Sequence, residues 1–76
     1  MELNKFIENF ALQFDETDAS TFTSETAFRD LDEWSSIQAL LIIAMVDEEY
    51  GVKIKGDDIR DSETIQHLFD IVKSRV

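Results

Sequence analysis

Near the start of the chain, apolar residues fall at Leu3, Phe6, Ile7, Phe10, Ala11 and Phe14. This is the i, i+3, i+4, i+7, i+8, i+11 spacing of a single helical stripe, and it predicts a first helix ending near Asp15. From Glu16 to Glu25 the periodicity disappears and Thr, Ser and Asp take over, residues whose short side chains compete for backbone hydrogen bonds and favour turns. A connection this long is uncommon in a compact domain and needs anchoring. Phe22, Phe28, Leu31 and Trp34 are the expected anchors, pinning the loop along the bundle.

A second helix is predicted from about Ser36 to Tyr50, and it carries two apolar stripes. Ala39, Ile42, Ile43, Val46 and Tyr50 form one, and Ile37, Leu40, Leu41 and Ala44 form the other. A small domain cannot bury one helix on every side, so part of this surface should stay exposed or flank a cleft. The alternative is that the long loop covers it. Gly51 can take the left-handed conformation that closes a helix. Val52 to Lys55 alternates like a short extended segment, and Asp57 to Asp61 has room for a turn or a brief third helix with Ile59 inward. Ser62 or Glu63 is expected to open the last helix, in which Ile65, Leu68, Phe69 and Val72 repeat the helical spacing. The fold class is therefore all-α: a four-helix bundle with a long first loop and a short third helix, residues 1–76 forming one domain.

A domain of 76 residues buries only about 60% of its unfolded surface, so its margin of stability is narrow. With no cysteine and a single histidine, neither disulfides nor the usual zinc site can staple it. Packing must hold it, and an apolar fraction of 43% is compatible with a core. The net charge of −10 repels phosphate backbones and anionic membrane surfaces, so nucleic acid is not an expected partner. Such a chain suits transient encounters with basic patches on other proteins; the plainer role of the charge is solubility. The longest apolar run, Ala39 to Val46, is too short to span a bilayer, and Met1-Glu2-Leu3-Asn4-Lys5 does not read as a secretory signal. The expectation is a cytoplasmic monomer.

Catalytic ingredients are thin: one histidine, no cysteine and no Gly-rich phosphate loop. His67 sits mid-helix, and nothing in the sequence brings it to Ser36. Neither Asp15 to Thr26 nor Asp57 to Leu68 has both the central glycine and the final glutamate of an EF-hand, and Asp47, Glu48 and Glu49 read as a solvated charged face rather than metal ligands. The segment from Asp30 to Gln38 is more telling, because it ends the polar loop and opens an apolar helix with serine. Ser35 and Gln38 have the Ser-x-x-Gln spacing of a capping box, the serine accepting from the third helical N–H and the glutamine reaching back. Ser36 then occupies the first helical position. An anion esterified to its oxygen would lie beside unpaired N–H groups at the positive end of the helix dipole.

The segment from Phe28 to Gly51, with Ser35-Ser36-Ile37 followed by Asp47-Glu48-Glu49-Tyr50-Gly51, resembles an acyl carrier protein of the small, discrete, type II kind. The likeness continues through Val52 and Ile54 to Thr64-Ile65-Gln66, while the first helix matches only in pattern. The resemblance implies a carrier rather than an enzyme. In that family the serine of an Asp-Ser-Leu motif bears a 4'-phosphopantetheine arm taken from coenzyme A. Ile37 aligns with the family leucine only if Ser36, not Ser35, bears the arm. The implied partners are a phosphopantetheinyl transferase and acyl-transferring or acyl-modifying enzymes with basic docking patches. They would be met by Ile37, Leu41, Ala44, Asp47 and Glu48, and an apolar cleft between helices would shelter the acyl chain.

Two departures qualify the resemblance. Ser35 stands where the family usually has the aspartate implicated in transferase recognition, and Asp32 and Glu33 are the nearest candidates to supply charge in its place. The family's docking helix is also usually acidic near its start, where this chain has Gln38 and Leu41. The implied setting is fatty-acid synthesis or, given this departure, a dedicated lipid or polyketide-type pathway with its own cognate enzymes. The rival readings are an aminoacyl or peptidyl carrier, whose usual Gly-Gly-x-Ser motif Trp34-Ser35-Ser36 does not match, and an unmodified helical interaction module of the same fold.

Overall fold

In the computed structural model, which describes residues 1–76, the first apolar stripe forms helix α1, Leu3–Ala11. It is followed by α2, Ser36–Tyr50, the short α3, Gly56–Arg60, and α4, Ile65–Lys73, with no strand. The radius of gyration, 11.0 Å, compares with about 11.4 Å for a compact chain of this length, so the helices form one packed body.

Helix α1 stops a turn earlier than its stripe predicts. Gln13 and Phe14 bond to the carbonyls of Phe10 and Ala11, tightening the last turn, and the Asp15 and Glu16 N–H groups are taken by the Glu33 carboxylate instead of helix carbonyls. Phe14 still reaches the core. The loop that follows contains two single 3-10 turns, Ala19–Thr21 and Phe28–Asp30. Its predicted anchors hold: Phe22 and Phe28 are buried, and Leu31 and Trp34 pack half-buried against them. Farther along, the carbonyls of Ser24 and Thr26 accept from Gln66 and Ile65, so the loop also supplies acceptors that the first turn of α4 lacks.

Aromatic rings run through the middle of the molecule. Phe10 lies 5.2 Å from Phe28, 5.7 Å from Phe14, 6.1 Å from Phe22 and 6.4 Å from Phe6, centroid to centroid. Phe6 in turn meets Phe69 of α4 and Tyr50 at the end of α2. The buried Asn9 donates from Nδ2 to the Tyr50 hydroxyl at 3.0 Å, which pairs a core amide that would otherwise be costly.

Gly51, with φ at 68°, closes α2 as expected, and its N–H bonds to the Asp47 carbonyl. Val52 and Ile54 then point inward while Lys53 and Lys55 face out. The last helix begins later than Ser62 or Glu63. Ser62 is wholly buried and its hydroxyl donates to the Asp58 carbonyl at the end of α3, so it serves the preceding helix. Thr64 is the cap, its Oγ1 accepting from the His67 N–H at 3.2 Å. A bidentate pair from Arg75 to Asp58, at 2.8 and 2.9 Å, ties the C-terminal end back to α3. Together with the Lys55 N–H, Arg75 holds the Asp58 carboxyl below its usual range. The pair is thus fully formed above the ordinary carboxylate range and is lost only as pH falls through that lowered value.

Candidate functional site

The start of α2 brings the expected residues together on the surface. Ser35 is extended, with φ at −158°, and its Oγ accepts from the Gln38 N–H at 3.4 Å. The reciprocal half of the predicted capping box does not form. Gln38 is buried, and its Nε2 donates instead to Glu33 Oε2 at 3.2 Å. Committing Nε2 to the Glu33 carboxylate, a charged and therefore strong acceptor, fixes the amide with its oxygen away from the Ser35 N–H, so that oxygen cannot take the reciprocal bond.

Ser36 is exposed at the first helical position. Its N–H and that of Ile37 carry no hydrogen bond, so two donors lie next to its hydroxyl at the positive end of a helix that runs to Tyr50. These donors fit the phosphodiester that a phosphopantetheine arm would bring.

Along the same helix the second apolar stripe stays in solvent. Ile37 is 68% exposed, Leu40 65% and Leu41 40%, and Ala44 is exposed with them. The loop does not cover this face. Ile37, Leu41, Ala44 and Glu48 lie at i, i+4, i+7 and i+11, so the acidic end continues the apolar stripe in line. Asp47 sits beside it and pairs with Lys53 Nζ at 3.0 Å across an exposed surface. The buried face of α2 is turned slightly from its predicted centre: Met45 and Gln38 join Ile42 and Val46 in the interior, while Ala39, Ile43 and Tyr50 are half-buried.

No family model, curated protein or solved structure matches the chain.

The expected cleft between helices is not where the surface opens. The largest groove, about 710 Å³, lies between α1 and the first loop, lined by Ile7, Ala11, Leu12, Phe14 and Phe22 among others, with no residue of α2. The side of α2 that faces inward meets a filled core, because aromatic rings from α1 and the loop occupy the space. His67 is exposed on α4. Glu33, expected only as a spare charge, is instead bonded to the loop and to Gln38.

The Ser35 cap makes a direct test possible. Its bond is long, so Ser35→Ala should cost about 0.5 to 1 kcal/mol, seen as a lower melting temperature. Ser35→Asp keeps a capping oxygen and adds a charge at the positive end of the helix, so its melting curve should lie close to that of the natural protein. On the resemblance to a carrier, in which an aspartate at this position serves transferase recognition, the variant is also expected to accept an arm faster from a generic transferase. An unchanged initial rate would assign recognition to Asp32 or the α2 surface.

Proposed function

We propose that the chain is an acyl carrier protein, with Ser36 bearing a 4'-phosphopantetheine arm on which acyl groups travel as thioesters. The observation that carries the reading is the exposed Ser36 hydroxyl at the head of a helix whose outer face is an uncovered apolar stripe ending in carboxylates. Loading would proceed by attack of the Ser36 oxygen on the coenzyme A diphosphate. One phosphodiester forms, adenosine 3',5'-bisphosphate leaves, and the hydroxyl proton passes to a base of the transferase. The arm then supplies the thiol. The protein's own part is to hold the attachment point at a rigid helix start and to present an address beside it.

That address has two components. Asp47, Glu48 and Glu49 give α2 an acidic end with no basic residue anywhere on the helix, which steers it towards basic surfaces. Ile37, Leu40 and Leu41 offer apolar area that a partner can desolvate. The cargo belongs to fatty-acid synthesis or to a dedicated lipid or polyketide-type pathway, with cognate enzymes that read a docking helix lacking charge near its start.

Incubation with coenzyme A and a phosphopantetheinyl transferase, followed by intact mass, tests the reading. A single added arm is the expected result. A protein that stays unmodified with several competent transferases is the unmodified interaction module, for which the same exposed face would suffice. Docking makes a second prediction. Asp47→Lys with Glu48→Lys should slow association with a cognate enzyme on the order of tenfold at low salt, and added salt should shrink the difference. Loss of the exposed Asp47–Lys53 pair should barely change stability. Ile37→Ala and Leu41→Ala should instead speed dissociation, costing about 1 kcal/mol each with little salt dependence. Equal association rates at low salt would reduce the acidic end to a solubilising face.

A further inference from the structure

Glu33 accepts hydrogen bonds from the Asp15 N–H at 2.9 Å, the Glu16 N–H at 3.1 Å, the Thr17 hydroxyl at 2.7 Å and Gln38 Nε2 at 3.2 Å. Three of these donors stand just after α1 and the fourth belongs to the first turn of α2. The carboxylate therefore joins the beginning of the long loop to the helix it leads into. The arrangement leaves a mark in the interior: the Gln38 carbonyl oxygen is buried with no partner. Turning the amide over would aim that oxygen at the carboxylate, so the orphan acceptor is the consequence of committing Nε2 to Glu33. On the other side, Trp34 packs against Phe14 and Phe28, so the short stretch before Ser36 is held at two points.

We propose that Glu33 is a positioning residue for the modification of Ser36: by tying Asp15, Glu16 and Thr17 to Gln38 it fixes the frame in which a transferase meets the Ser36 hydroxyl. The role at Ser36 rests on the carrier reading; the clasp itself is a property of the fold. The Thr17 hydroxyl, helped by the Asp15 and Glu16 N–H groups, holds the Glu33 carboxyl below its usual range. The clasp is thus closed above the ordinary glutamate range and opens as pH falls through the lowered value. Glu16, Asp18 and Asp32 line the same groove, and α2 faces Glu33 with the neutral Gln38. Lys5 and Glu8 of α1 share the neighbouring groove with Asp15 and Thr17. Of the acidic neighbours, Asp18 is already engaged by the Ser20 N–H and hydroxyl, which lower its own pKa.

The test combines nitrogen-15 NMR with modification kinetics. In the natural protein the Asp15 and Glu16 amides and the Gln38 side-chain amide should titrate together, with one midpoint below the ordinary glutamate value. That shared transition should vanish in Glu33→Gln. Amide exchange at Asp15 and Glu16 should quicken at least about tenfold in Glu33→Ala. Both variants should be modified more slowly, about tenfold for Glu33→Ala, with the loss in kcat rather than KM, because the frame and not the encounter has changed. Asp18→Asn, which removes a charge from the same groove without touching the clasp and keeps an oxygen for the Ser20 N–H, should keep the natural kcat. A Gln38 side-chain amide that does not follow the Asp15 and Glu16 amides overturns the clasp. Glu33 variants with the natural kcat overturn its role at Ser36. A natural protein that takes no arm overturns the carrier reading and that role with it, while the titration still decides the clasp.

Discussion

Phe10→Ala should remove a large share of the stability of this domain. Phe10 is completely buried and touches four other aromatic rings, from α1 and from both halves of the long loop. Truncating a buried phenylalanine costs about 3 to 5 kcal/mol through lost transfer energy and the cavity left behind. At about 0.05 to 0.15 kcal/mol per residue, a chain of this length has only about 4 to 11 kcal/mol in all. The melting temperature should therefore fall by more than about 12 °C. Trp34, the only tryptophan, stacks on Phe14, meets Phe28 edge to face, and gives a fluorescence signal for the transition. Phe10→Leu keeps much of the volume and should cost clearly less. Equal losses for the two variants would mean that ring contacts, and not filled volume, dominate at this position.

The dependence on Phe10 shows which parts of the fold could be read from residue order. Helix faces were legible because burial is periodic: Phe6, Phe10, Ile42, Val46, Ile65, Leu68 and Val72 are all completely buried and all lie on predicted stripes. The anchors of the loop were legible for a related reason, since large apolar residues isolated in a polar segment have few other uses. Helix ends were less so. Whether Asp15 continues α1 depends on Glu33, eighteen residues away in sequence, offering its N–H a better acceptor than a helix carbonyl. Whether Ser62, Glu63 or Thr64 starts α4 depends on Ser62 being drawn to the end of α3.

The candidate site divides in the same manner. The position of Ser36 and the continuity of Ile37, Leu41, Ala44 and Glu48 follow from helical spacing alone. That Leu40 and Leu41 stay in solvent does not, because either stripe of α2 could have faced the core. Tertiary packing chose the face that includes Met45 and Gln38. A buried glutamine beside an apolar stripe carried no signal in the sequence, since Gln38 reads equally well as the second half of a capping box. The carboxylate that claims its amide lies five residues upstream, before the helix begins.

Ser36→Ala should accept no arm at all, while Ser35→Ala should still accept one. The two serines are adjacent and both exposed, so a modified protein alone does not say which hydroxyl reacts. Their surroundings differ. The Ser35 oxygen is engaged as the helix cap and accepts from the Gln38 N–H, so esterifying it would remove or crowd that bond. The Ser36 oxygen has no such duty, and the unpaired N–H groups of Ser36 and Ile37 stand ready for a phosphodiester beside it. Losing the hydroxyl at 36 removes the nucleophile, an all-or-none effect on mass, while the fold should be nearly untouched because the side chain is exposed and makes no hydrogen bond. Intact mass, peptide mapping and a melting curve on both variants check this together. An arm mapped to Ser35, or a Ser36→Ala protein that still gains the mass, would move the attachment point by one residue. It would then also break the alignment of Ile37 with the family leucine, on which the choice of Ser36 depends.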